Sequence, residues 1–260
     1  VGRRCCKIVR RIGMESYYEN ALVTIYHGDC LDILPKLEPA DLMLTDPPYR
    51  GDFAHEGGLM TGSRLKTHNE INDDVGSSPD FDISVYMPIL LKSAKSSLVW
   101  CSCKQLPDLL KFVGERFNVI TWVKTNPVPL VNNKLLNDCE YCVCFLNKGF
   151  HYPDIPYKEK STAYINKNGQ DVSIDHPTPK PIEIILKNIN QFSSKGESII
   201  DPFCGSGTTG VGCMKMDRKC VLIDDKEKYC EMSAKRCEQA KTGLTFEEQD
   251  AGQMLLFEDK

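Results

Sequence analysis

The chain has 260 residues, 41% of them hydrophobic and 26% charged, with a formal net charge of −4. That is enough apolar material for one globular core and too much for an intrinsically disordered chain. No window approaches the roughly 18 consecutive apolar residues of a membrane helix, and the mildly acidic balance advertises no basic face for nucleic acid.

The N-terminus is basic (Arg3, Arg4, Lys7, Arg10, Arg11) but lacks the apolar core of a secretory signal, so residues 1–13 read as a tag, an upstream extension or a loose arm. Residues 1–21 precede the first strand signal. That strand is Leu22–His27, ending at Gly28-Asp29, with a short helix over Leu31–Leu37. A second strand, Asp41–Thr45, runs into Asp46-Pro47-Pro48-Tyr49. Residues 50–80 are rich in Gly, Asp, Asn and Ser, which predicts a long functional loop. Helices are expected at Val85–Ser93 and Lys104–Glu115, and strands at Ser97–Ser102, Phe117–Lys124 and Glu140–Asn147. Residues 148–177 read as irregular. A helix over Pro181–Phe192, the strand Ser198–Asp201, a Gly-rich loop, a helix from Thr208, the strand Lys219–Asp224 and the helix Lys226–Lys241 follow. Residues 243–260 form an acidic tail. Alternating apolar runs and helical patterns predict an α/β fold with a mainly parallel sheet.

Thirteen cysteines show no framework spacing, which points to reduced thiols of a cytosolic protein rather than a disulfide scaffold. Cys101-x-Cys103 and Cys142-x-Cys144 invite a zinc reading. Both sit in strand-like apolar runs without C-x-x-C spacing, and no metal is expected.

Ser198–Gly210 reads SIIDPFCGSGTTG: a buried strand, a sharp glycine turn and a helix start. Gly205 and Gly207 permit close backbone approach, and the N–H groups of the helix from Thr208 offer a positive dipole end. Asp224 ends the next strand, where a carboxylate can accept from ribose hydroxyls. Gly205-x-Gly207-x-x-Gly210 with Asp224 also fits a dinucleotide fingerprint, and a glycine turn without a ligand is the bland alternative. Two details favour S-adenosylmethionine over NAD. Pro202-Phe203-Cys204 stand before the first glycine, and Asp201 suits a cationic amino group better than a pyrophosphate.

Asp46-Pro47-Pro48-Tyr49 could be a mere turn. Chemically it suits an exocyclic amine whose lone pair is delocalised into a nucleobase. The Asp46 carboxylate and the Pro47 carbonyl would each accept one N–H, favouring an sp3-like nitrogen as positive charge develops. The prolines stiffen the loop and remove competing donors, and Tyr49 offers a face for stacking on a base flipped out of the duplex.

These blocks together resemble the DNA amino-methyltransferases of the N6-adenine/N4-cytosine type, in the β-class order with the DPPY loop before the cofactor loop. Gly28-Asp29-Cys30 resembles the family's GDC element. His176-Pro177-Thr178-Pro179-Lys180-Pro181 resembles HPTQKP with Pro179 in place of Gln. Trp122-Val123-Lys124-Thr125-Asn126-Pro127 and Glu140 resemble the W-x-K-x-N-x-P…E block. The resemblance implies a Rossmann-like methyltransferase sheet over residues 22–242, with one antiparallel strand at Glu140–Asn147 and circularly permuted motifs. It implies Asp46, Pro47, Pro48 and Tyr49 as catalytic. It also implies Asp29, Lys180, Asp201, Phe203, Gly205, Gly207, Thr208 and Asp224 around S-adenosylmethionine, with Asp29 at its adenine and Lys180 near its methionine half. The plainer readings are a helix cap for Asp29 and an exposed helix-start lysine for Lys180.

The implied partner is double-stranded DNA. Within these residues recognition is expected of loops at about 50–80 (His55, Arg64, Lys66, His68, Asn69) and 148–177, or shared with a second subunit in a homodimer. In the family, Asp at the first loop position more often accompanies adenine and Ser cytosine, so Asp46 favours adenine. N4-cytosine methylation is the rival. A nicotinamide oxidoreductase leaves DPPY unexplained, and a non-catalytic binding module leaves it without a purpose.

Overall fold

A computed structural model describes residues 14–49, 81–127, 135–167 and 180–242. The predicted loop 50–80, residues 168–179 with His176–Pro179, the basic N-terminus to residue 13 and the tail 243–260 lie outside them.

The described strands are β1 Tyr18–Glu19, β2 Val23–His27, β3 Ala40–Thr45, β4 Ala94–Cys101, β5 Phe117–Lys124, β6 Cys139–Leu146, β7 Ala163–Asn166, β8 Ser198–Asp201 and β9 Lys219–Asp224. They form one sheet in the order β1-β2-β9-β8-β3-β4-β6-β5-β7. From β2 to β4 every neighbouring pair is parallel. These strands are buried on both faces, which explains their near-continuous apolar runs. β6 is antiparallel to both β4 and β5, as expected for Glu140–Asn147.

The helices are α1 Cys30–Ile33, α2 Ile83–Leu90, α3 Leu106–Leu110, α4 Ile182–Phe192, α5 Thr208–Lys215 and α6 Glu227–Thr242. Two separate cores show that they cover opposite faces of the sheet. Ile184, Ile185, Ile189, Cys213, Cys230 and Cys237 of α4–α6 belong to one, and Ile33, Met87 and Leu109 of α1–α3 to the other. On α4 the buried Ile184, Ile185, Asn188, Ile189 and Phe192 recur at helical spacing. Its buried amide is satisfied: Trp100 Nε1 donates to Asn188 Oδ1 at 3.2 Å, and Asn188 Nδ2 donates to Tyr164 OH at 2.9 Å. The result is the doubly wound, Rossmann-like α/β sheet the motifs implied.

Three expectations change. The helix Lys104–Glu115 contracts to α3, because Pro107 belongs in a first turn and disfavours helical backbone before it, while Gly114 leads into β5. Residues 148–167 are not one irregular loop: β7 pairs in parallel with β5. Its signal was only four residues long, with Tyr164 buried and Ile165 exposed between prolines and charged residues. β1 adds an unforeseen antiparallel edge to β2.

Parallel pairing sends the C-terminal ends of β2, β9, β8, β3 and β4 to one edge, where ligands of doubly wound sheets bind. Gly28, Asp224, Asp201, Asp46 and Cys101 mark that edge. β3 and β8 are adjacent although 157 residues separate Asp41 from its partner Ser198, so the two motif loops distant in sequence become neighbours.

Candidate active site

Asp46 leaves the end of β3 with its carboxylate divided. Oδ2 lies 3.1 Å from Lys180 Nζ, and 33% of the side chain is exposed. Oδ1 is itself enclosed and has no hydrogen-bond partner among the described residues. Burial pushes the Asp46 carboxyl up, against the pull of Lys180 and with the repulsion of Glu140.

Lys180 stands two residues before α4, ahead of Pro181, and its side chain is only 6% exposed. Its ammonium donates to Glu140 Oε2 at 2.7 Å and to Tyr49 OH at 3.2 Å. It also lies 4.5 Å from the centre of the Trp100 ring, 5.6 Å from Trp122 and 5.8 Å from Tyr49. Burial alone would lower its pKa, but Asp46 and Glu140 hold it above the ordinary lysine range. Tyr49 OH donates to Glu140 Oε2 at 2.8 Å, and Lys124 Nζ lies 2.6 Å from Oε1 of the same carboxylate. Burial would raise the Glu140 carboxyl; the two lysines outweigh it and hold it below the usual range. Two ammonium groups thus balance two carboxylates, the condition under which charges remain buried without an uncompensated partner.

The diproline segment is braced from a third element. Gln105, buried in the turn before α3, donates from Nε2 to the Pro48 carbonyl at 2.9 Å.

The glycine loop is organised differently. The buried Asp201 ends β8 and accepts from Thr45 Oγ1 at 2.8 Å, Thr209 Oγ1 at 2.6 Å and Phe203 N–H at 3.2 Å. Burial against these donors pushes its carboxyl up to about 6. The Thr45 contact ties this loop to the strand that carries Asp46. Gly205 and Gly207 have φ of +48° and +76°, a region that favours glycine. A Cβ on Gly207 would stand 2.6 Å from Ser233 Oγ of α6, so this glycine also serves helix packing. Gly205 N–H donates to Asp224 Oδ2 at 2.9 Å and Lys226 N–H to Oδ1 at 3.0 Å, while burial pushes Asp224 up to about 6. The Thr208 hydroxyl bonds Ser206 and Arg236.

Asp29 is a helix cap, accepting from Leu31 N–H at 2.8 Å through Oδ1, on an exposed side chain. Gly28 N–H donates to the Asp224 carbonyl at 2.9 Å, which joins the ends of β2 and β9. Phe203 meets Phe81 and Tyr86 edge-on, at centroid distances of 5.9 and 5.5 Å. The nearby charges of Asp29 and Asp225 help push the Tyr86 hydroxyl up, after its burial.

Two clusters therefore share the edge. Asp46, Pro48 and Tyr49 form one with Lys180, Glu140, Lys124 and Gln105. Asp29, Asp201, Phe203, Gly205, Gly207, Thr208 and Asp224 form the other. Lys180, expected near a methionine moiety, sits in the Asp46 cluster, its ammonium held by Asp46 and Glu140. Glu140 and Lys124 were visible as motif residues without an assigned task. Trp100, Gln105 and Tyr86 carried no motif signal.

The sequence profile of the N6_N4_Mtase family, described as DNA methylase, matches residues 40–235. The chain is 27% identical over 255 residues to the type II methyltransferase M2.LlaDCHI of Lactococcus lactis subsp. cremoris, spanning 88% of this chain and 94% of that protein. Its fold resembles the crystal structure of the M1.HpyAVI–SAM complex, with a TM-score of 0.64 and 22% identity over 83% of this chain and 99% of that one. It also resembles PvuII DNA methyltransferase (cytosine-N4-specific), with a TM-score of 0.65 and 18% identity over 86% and 89% of the two chains.

Proposed function

The chain belongs to the N6_N4_Mtase family of DNA methylases, and from that premise we propose that it methylates N6 of an adenine flipped out of double-stranded DNA, with S-adenosylmethionine as donor. The observation that carries this reading is Asp46 Oδ1: an enclosed carboxylate oxygen without a partner among the described residues, on a loop with two consecutive prolines and a tyrosine. An orphaned buried acceptor of this kind calls for a donor. An exocyclic amine brings two N–H groups, one for Oδ1 and one for the Pro47 carbonyl.

The residues on the other side of the Thr45–Asp201 contact fit the methyl donor. Asp224 and the exposed Asp29 stand at adjacent strand ends to receive sugar and base. Phe203 offers an aromatic surface, and Gly205, Gly207 and Thr208 open the loop into α5. Asp201 acts chiefly by holding that loop to β3, since three donors of the chain already engage it. Bound S-adenosylmethionine supplies an electrophilic methyl group on a sulfonium. An amine receiving that methyl group would gain positive charge and have one proton to shed. Asp46 faces that charge, and its raised pKa lets it hold the proton. Lys180 keeps the carboxylate oriented through Oδ2, and Glu140 neutralises the lysine.

Aspartate at the head of the loop supports adenine over cytosine by family analogy. Incubating the protein with S-adenosylmethionine and DNA copied in vitro, then mapping modified bases, tests both points. N6-methyladenine is expected. N4-methylcytosine would correct the base, and unmodified DNA would overturn the reading.

A further inference from the structure

We propose that Gln105 is the positioning residue of the diproline loop: by capturing the Pro48 carbonyl it leaves Asp46 Oδ1 and the Pro47 carbonyl as the two acceptors presented to the amine. This rests on the methyl-transfer reading above. Pro47 and Pro48 have no N–H, so over two consecutive residues the loop cannot fasten itself through backbone donors. Its carbonyls are the remaining main-chain handles. One is taken, at 2.9 Å, by Gln105 Nε2.

The capture is directional. Gln105 is 1% exposed. Its Oε1 accepts from Ser102 Oγ at 3.2 Å and lies 3.4 Å from Ser102 N–H. With the oxygen engaged by donors, the amide nitrogen is the end that must face Pro48. Ser102 directly follows β4, so the Pro48 carbonyl is referred to the rigid sheet rather than to a loop. The Pro48 carbonyl belongs to the peptide plane that begins Tyr49. Holding it therefore fixes both the acceptors before it and the ring after it. A sub-ångström drift there would misplace an amine that must meet its methyl donor in line.

The full chain, DNA copied in vitro and S-adenosylmethionine suffice for the test, with two variants. Gln105→Met fills the same space without a donor. We expect its kcat to fall about fivefold to tenfold while its cofactor Kd stays within about twofold. Gln105→Glu, once protonated, has one O–H to donate and one oxygen to accept, and so reproduces the amide. Ionised, it repels the carbonyl. Its kcat relative to wild type should therefore climb as pH is lowered from about 8 to about 6, whereas the Gln105→Met ratio stays flat. A role in stability alone would restore the folded fraction in acid, read by thermal melts at each pH, without changing kcat per folded molecule. If Gln105→Met does not fold, the pH comparison within Gln105→Glu decides by itself. Wild-type protein that transfers nothing overturns the methyl-transfer reading and this inference with it. Active wild type beside a Gln105→Met variant of equal kcat, or a Gln105→Glu variant with an unshifted pH profile, overturns the inference alone.

Discussion

The two clusters on the strand-end edge are built on opposite plans. Around Asp46, side chains from β5, β6, the end of β3 and the approach to α4 meet as charges, and Lys180 touches Asp46, Glu140 and Tyr49 at once. Around Asp201 and Asp224, carboxylates are satisfied by backbone N–H groups and hydroxyls, two of them only two residues away and the others drawn from Thr209, Gly205 and Thr45. The first plan concentrates electrostatics on one point and couples every member to the rest. The second sculpts backbone through neutral donors.

The sharpest way to break that contrast is Asp46→Ala. Methyl transfer should fall at least about 10²–10³-fold, as for loss of a charge-stabilising acceptor, while calorimetry finds cofactor Kd nearly unchanged. Turnover near wild type would mean the charged cluster is scaffolding. Asp224→Ala should do the converse. Losing a charge-assisted acceptor costs about 1.5–3 kcal/mol, so cofactor Kd should rise tenfold or more, with kcat at saturation little altered. An unchanged Kd would remove Asp224 from the donor site.

Tyr49→Phe is a finer probe. It keeps the ring but removes a hydroxyl bonded to Glu140 and Lys180. A loss of about threefold to tenfold in kcat/KM for DNA is expected, with stacking preserved; a variant indistinguishable from wild type would show the hydroxyl contacts to be idle. Smallest is Asp201→Asn, read by thermal melts against pH. Burial pushes the native carboxyl up to about 6, above the ordinary aspartate value of about 4, so between those values the folded chain holds more protons than the unfolded one. Stability from this group is therefore present below about pH 4 and lost as pH rises through about 6. Asn should flatten that slope, leaving the parallel contribution of Asp224. A melting curve whose pH dependence matches wild type would place the titration elsewhere.

Local signals were the legible ones. Phe117–Lys124, Ser198–Asp201 and Lys219–Asp224 emerge with their predicted bounds because each is a compact apolar run closed by charge, Gly or Pro. The motif tetrapeptide and the glycine loop were readable because their chemistry is contiguous. Lys180 was read only in part. A motif places its backbone, but the direction of its side chain is decided by Glu140 and Asp46, which come from other strands. Gln105 was invisible for the same reason: its partner lies 57 residues away in sequence. β7 was lost because four residues carry too little periodicity to stand out among charged neighbours.

The chain contains two tryptophans, and Trp100 and Trp122 both flank the Lys180 ammonium. Its tryptophan fluorescence therefore arises wholly from indoles beside the Lys180 ammonium. A base that enters, or a lysine that moves, changes the charge and stacking those indoles feel. The unlabelled protein thus carries its own optical reporter of occupancy, and stopped-flow emission can time base entry separately from methyl transfer.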